Sequence, residues 1–141
     1  MNLKELIKSA KEDLKIDSTN LHKEAERQSD LFLKYREILS MSRISLKDYE
    51  IKLARLIIFK RQYYSGSAPT EVYEKDPFDL RLRKAEVDEY IKNDDEIISI
   101  DKEICVLEEK ISFIEDLLSQ IKSRSWEIKS SIAWQKFLAG E

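Results

Sequence analysis

Cysteine and histidine occur once each, as Cys105 and His22, and only two glycines and two prolines interrupt the 141 residues. A lone cysteine excludes an intrachain disulfide, and with a lone histidine beside it the zinc cages of small chains are excluded too. So few Gly and Pro exclude a fold of many strands and tight turns, which need them as punctuation. Long apolar runs are also missing. The longest, Leu56-Ile57-Ile58-Phe59, falls far short of the roughly 20 residues of a membrane span. Met1 leads into a charged amphipathic stretch, so a cytoplasmic protein is expected. There is no Gly-rich phosphate loop, no metal-spaced cluster and no nucleophile with a neighbouring base. Acid pairs such as Asp94-Asp95 and Glu108-Glu109 read as parts of a solvated helix face. A protein without enzymatic activity, metal or cofactor is expected.

What is present is charge (38% of residues) mixed with 42% apolar residues, too many for a disordered chain. Glu, Lys, Leu and Ile predominate, the composition of long helices or coiled coils, and the length suits one all-helical domain spanning residues 1–141. The net charge of -3 hides an uneven distribution. Residues 1–84 carry 18 basic and 14 acidic side chains, residues 85–116 carry 3 and 12, and residues 117–141 carry 4 and 2. An acidic stretch repels a polyanion, so a nucleic-acid surface would use the first part of the chain, the C-terminal part, or both.

Leu3, Leu6, Ile7, Ala10 and Leu14 mark a first helix over about residues 2–15. Asp17 then reads as a cap, with Ile16 and Leu21 as a hydrophobic staple. From Leu21 a 4-3 alternation runs through Ala25, Gln28, Phe32, Tyr35, Leu39, Ser42, Leu46, Tyr49, Leu53, Leu56, Lys60 and Tyr63, predicting one helix over about 18–64. Lys60, polar in that seam, is expected to pack its stem and send its charge to water. Ile44, Ile51 and Ile58 form a second stripe spaced by seven and facing elsewhere, which calls for a further helical neighbour, in so small a chain another protomer. Gly66 suits a helix end, while Asp76, Pro77 and Asp79 suit a new start, so a loop over 65–76 and a returning helix over 77–138 are expected. The returning seam is Ile97, Ile100, Ile104, Leu107, Ile111, Ile114, Leu118, Ile121, Ser125, Ile128 and Ile132. Phe113, Leu117, Trp126, Trp134, Phe137 and Leu138 exceed what one helix face can hold, so the region 113–138 is expected to pack on more than one partner. The predicted architecture is all-α, a short N-terminal helix followed by a long coiled-coil-like helical hairpin.

The segment Phe59-Lys60-Arg61-Gln62-Tyr63-Tyr64-Ser65-Gly66 joins two cations and two aromatics at a helix end. Single-stranded nucleic acid is held by cations along its phosphates and by aromatic faces under its bases, each stack being worth about 1–3 kcal/mol. Arg81, Arg83 and Lys84 begin the returning helix and would enlarge the same basic end. A second cluster, Lys122, Arg124 and Lys129, surrounds Trp126. Both sets also fit a purely structural reading, with Tyr63 in the seam, Tyr64 against the loop and the cations completing helix ends. An amphipathic helix over residues 3–15 lying on a membrane is a third reading, weakened by Glu5, Glu12 and Asp13 and by the lack of aromatic anchors.

Across nearly the whole chain the residues resemble the UvsY-type recombination mediators of T4-like bacteriophages. The matching pieces occur in order: Ile16-Asp17-Ser18-Thr19, Leu21, Glu24-Ala25, Tyr63-Tyr64-Ser65-Gly66, Ile121-Lys122-Ser123-Arg124, Ile128-Lys129, and Phe137 with Ala139-Gly140. The family's DNA-binding motif reads Lys-x-Arg-x-x-Tyr-Tyr-Ser-Gly. Here Ile58 stands at the first cation and Lys60 at the arginine, with Arg61 where an apolar residue is usual. Lysine lacks the bidentate fork of arginine, so the phosphate geometry would differ. The resemblance implies a DNA recombination and repair protein in the host cytoplasm. It implies a homo-oligomeric ring of six or seven subunits, assembled through the C-terminal region, that binds single-stranded DNA. Such a ring helps a RecA-like recombinase displace a single-strand-binding protein. The alternative is a coiled-coil adaptor that does not touch DNA.

Overall fold

A computed structural model describes all 141 residues. It contains six helices and no strand: α1 Leu3–Asp13, α2 Leu21–Glu26, α3 Gln28–Tyr64, α4 Thr70–Lys75, α5 Lys84–Lys92 and α6 Asp95–Leu138. The all-helical class and the two long paired helices agree with the sequence. The chain divides into two compact units, the first of Met1–Arg43 with Glu108–Glu141 and the second of Ile44–Leu107.

In the first unit α1 opens on a capping box, in which the Asn2 side chain accepts from Glu5 N and Glu5 accepts from Asn2 N. Its buried Leu6 and Ala10 meet Leu31, Tyr35 and Leu39 of α3 and Ile114, Leu117, Leu118 and Ile121 of α6. Polar seam residues are satisfied in place: Gln28 Nε2 donates to Ile121 O at 2.7 Å and Ser125 Oγ at 2.9 Å, and the Ser42 hydroxyl donates to Ile38 O at 2.7 Å. The helix expected from residue 18 starts at Leu21 and is interrupted at Arg27. Asp17 does not cap it. Its carboxylate accepts from Thr19 N at 3.0 Å and Thr19 Oγ1 at 2.6 Å, a local turn that competes with helix.

The second unit takes its form from how α3 ends. Gly66 adopts φ +78°, with Ser67 N donating to Gln62 O and Gly66 N to Tyr63 O, the paired bonds of a Schellman ending. The loop expected over 65–76 contains α4. The helix expected over 77–138 is three pieces: residues 77–83 lie outside any helix, α5 follows, and α6 begins only after Asn93 and Asp94. Packing explains the departure. Phe78 lies with its ring centroid 5.4 Å from that of Tyr63, 5.1 Å from Tyr64 and 5.9 Å from Tyr90. Leu82 packs with Leu53, Leu56, Ile57 and Tyr64 against buried Val87, Ile91 and Ile97. Burial of these side chains outweighs the local preference of Pro77 to start a helix.

Candidate nucleic-acid interface

The tyrosines at the end of α3 are core. Tyr63 is 6% exposed. Its ring stacks on Tyr73 at 5.5 Å and 17° and meets Tyr64 edge-on at 5.0 Å, while its hydroxyl donates to Asp76 O at 3.1 Å. The Tyr73 hydroxyl donates to Tyr63 O at 2.8 Å, a second bond to the carbonyl that Gly66 N also reaches. A base cannot stack on Tyr63 while these contacts hold.

Lys60 departs from its expected path to water. Its side chain is 8% exposed, with Nζ 3.1 Å from Asp94 Oδ2 and 3.2 Å from Glu96 Oε1. Asp94 also accepts the Tyr64 hydroxyl at 2.6 Å, and its other oxygen caps α6 by accepting from Glu96 N at 2.9 Å and Ile97 N at 3.2 Å. Burial by itself would raise the Asp94 pKa, but the bonds from Tyr64 and Lys60 outweigh it and hold the carboxyl below its usual range. Burial would likewise lower that of Lys60, and Asp94 and Glu96 reverse this. Burial and Asp94 together push the Tyr64 phenol up. Asp94 is therefore not the solvated acid expected from the sequence; it links the end of α3 to the start of α6. The sequence signal for this is its position: Asn93-Asp94 precedes the clean apolar periodicity from Ile97, as a cap should.

Arg124 is the other correction. It is 2% exposed and donates to Gln28 Oε1 at 2.6 Å, Lys15 O at 2.9 Å and Leu14 O at 3.2 Å, and it pairs with Glu24. A guanidinium so enclosed fastens α6 to the end of α1 and to α2, and has no donor free for a phosphate. Burial would raise the Glu24 pKa, but Arg124 and Arg27 hold it low.

Of the remaining candidates, Arg61 is half-exposed and bonded to Asp88 at 2.8 Å, and Arg81, Arg83, Lys84 and Lys122 are exposed. Arg81 and Arg83 flank Leu82, which packs against the core of the second unit, and both cations are exposed. Arg83 is 92% exposed and 3.9 Å from Glu86. Arg81 and Arg83 thus stand exposed on the segment before α5, whose Phe78 packs on Tyr63 and Tyr64.

The expected assembly residues divide in the same way. Leu117 is 5% exposed and belongs to the first unit's core, and half-buried Phe113 packs against that core, so neither offers an outer surface. Trp126, Trp134, Phe137 and Leu138 are 73%, 60%, 69% and 66% exposed, and Trp134 stacks on Phe137 at 5.5 Å. Ile44, Ile51 and Ile58 are also exposed. No three His, Cys, Asp or Glu side chains are grouped to hold a metal ion, and no helix is long and apolar enough to cross a membrane.

These features define a class: an all-helical protein of two long paired helices joined through an irregular segment that an aromatic cluster anchors. Residues 9–141 match the family described as "Recombination, repair and ssDNA binding protein UvsY", and the chain belongs to that family. Crystal structures of the bacteriophage T4 recombination mediator protein UvsY share the fold. One has a TM-score of 0.84 at 26% identity over 99% of this chain and 98% of that one. Others have TM-scores of 0.82, at 25% identity over 97% and 98%, and 0.83, at 25% identity over 94% and 98%. No curated protein matches the chain.

Proposed function

We propose that this chain is a recombination mediator that binds single-stranded DNA and helps load a RecA-like recombinase onto strands coated by single-strand-binding protein, without enzymatic activity of its own. Family membership supports the DNA-binding part. The observation that carries the reading on this chain is the exposed pair Arg81 and Arg83 around half-buried Leu82, with Lys84 beside them. Phosphates would be met there and at Arg61, with Lys122 a separate contact. Exposed Trp126, Trp134, Phe137 and Leu138 fit burial between copies in a homo-oligomeric ring. Such a ring repeats a patch of few charges along one strand and multiplies a weak contact into a strong one.

The test is the anisotropy of a labelled oligonucleotide across a salt series, followed by recombinase ATPase on strands already coated with single-strand-binding protein. Salt-sensitive binding with earlier onset of ATPase is expected. Absence of binding at low salt would overturn the reading. The structural adaptor would then stand, and the burial of Tyr63 and Lys60 already favours that alternative at those positions.

A further inference from the structure

We infer that the α3 stripe Ile44, Ile51 and Ile58 docks on the outer face of α6 at Ile98 and Val106 of a second copy of this chain, in a head-to-tail contact. The inference rests on the homo-oligomer in the reading above and names a surface for it apart from the C-terminal aromatics. Ile44, Ile51 and Ile58 are 58%, 40% and 62% exposed, although each seven-residue step returns to one face of the helix. On α6, Ile98 and Val106 are 36% and 52% exposed, with exposed Cys105 beside them. The α3 row and the α6 pair Ile98 and Val106, which lie about 80° apart around their helix with Lys102 between them, belong to the second unit, and neither set has a partner in the hydrophobic clusters of the chain.

Charge decides which surface fits which. One helical turn from the isoleucines of α3 stand Lys47 and Arg55 against the single acid Asp48, all exposed. One turn from Ile98 and Val106 stand the exposed acids Asp95, Asp101, Glu103 and Glu109 against exposed Lys102 and half-buried Lys110. None of these nine groups has an ion-pair partner within the chain. Stripe against identical stripe would set like charges together, whereas α3 against α6 of the next copy sets a basic surface on a net acidic one, with the Lys102 stem free to pack beside Ile98 and Val106. A nucleic acid does not suit the isoleucine row, which offers no aromatic face. A contact between two different surfaces repeats from copy to copy and ends in a closed ring or an open chain.

Sedimentation velocity of two variants tests this. Ile51→Asp spoils only the α3 face and Val106→Asp only the α6 face. Each alone should lose mass relative to the parent, towards the 16.7 kDa chain. Mixed in equal amounts they should form a species of two chains, because one intact face of each kind remains to meet the other. Either variant keeping the parent's mass overturns the inference, as does a mixture that forms no such pair. Should either variant lose its helical circular dichroism, a charge reversal replaces it. Lys47→Glu with Arg55→Glu should lower the mass, and adding Asp101→Lys with Glu103→Lys to the same chain should restore it. Failure of the restoration counts against the docking. A parent chain that is itself monomeric sinks the homo-oligomer reading instead, so the two failures are distinguishable.

Discussion

Tyr64 donates its hydroxyl to Asp94 Oδ2 at 2.6 Å, and the same carboxylate pairs with Lys60 and caps α6. A tyrosine and a lysine at positions where the family motif binds DNA are thus joined to an acid 30 residues further along. Whatever else they do, they hold the second unit closed.

Lys60→Ala should therefore act on stability before affinity. Removing one partner of a buried pair costs about 3–5 kcal/mol, because the remaining charge is left uncompensated. A lower melting temperature is expected, with oligonucleotide affinity little changed well below the transition. Affinity falling tenfold or more in a variant that melts with the parent would return Lys60 to direct contact with DNA.

Arg81→Ala with Arg83→Ala should show the opposite pattern. Both side chains are exposed, so melting should hardly move. Affinity should fall, and the slope of log affinity against log salt should flatten by about 0.7 for each phosphate that is no longer neutralised. An unchanged slope would place the strand elsewhere on the surface.

Arg124→Ala and Lys122→Ala, two residues apart on α6, should part company. The first strands buried Glu24 and leaves Gln28 Oε1 without its donor, at a cost of about 3–5 kcal/mol. The second removes an exposed charge and should stay within about 0.5 kcal/mol of the parent. Equal melting of the pair in a thermal scan would contradict the enclosure of Arg124.

Acid should loosen both units. Asp13, Glu24 and Asp94 all bind protons less readily when folded than their ordinary values of 3.8, 4.5 and 3.8. A depressed carboxyl lends stability that is full above its unfolded pKa and disappears as pH falls through the folded one. Midpoints of denaturant unfolding should accordingly drop as pH falls below about 4.5. The variant Asp94→Asn should show a shallower decline than the parent, and parallel declines would remove Asp94 from the account.

Tyr35 offers a second titration. Burial and its bond to Asp13 push its phenol up to about 12, and Tyr63 and Tyr64 are raised as well. Phenolate absorbance followed against pH should show Tyr35, Tyr63 and Tyr64 ionising above the ordinary phenol value. A single transition at the ordinary value would mean the rings are solvated.

The sequence by itself determined the helical class, the seams of the two long helices and the reversal at Gly66, because apolar periodicity and a residue tolerant of positive φ are local signals. Tyr35 and Leu39 with Ile114, Leu118 and Ile121 are buried as that periodicity requires, whereas Leu31 takes the buried place expected of Phe32, which is half-buried. Only the tertiary structure decided what the polar residues on those helices do. Lys60, Asp94 and Arg124 look like any charges on a charged helix, since nothing local separates a solvated side chain from one whose partner lies 34 or 100 residues away. The break of the returning helix into α5 and α6, and the extended Arg81-Leu82-Arg83 ahead of them, were hidden for the same reason. Phe78 and Leu82 leave helix to reach an aromatic cluster assembled from distant parts of the chain, and the free energy of that burial is written in no single segment.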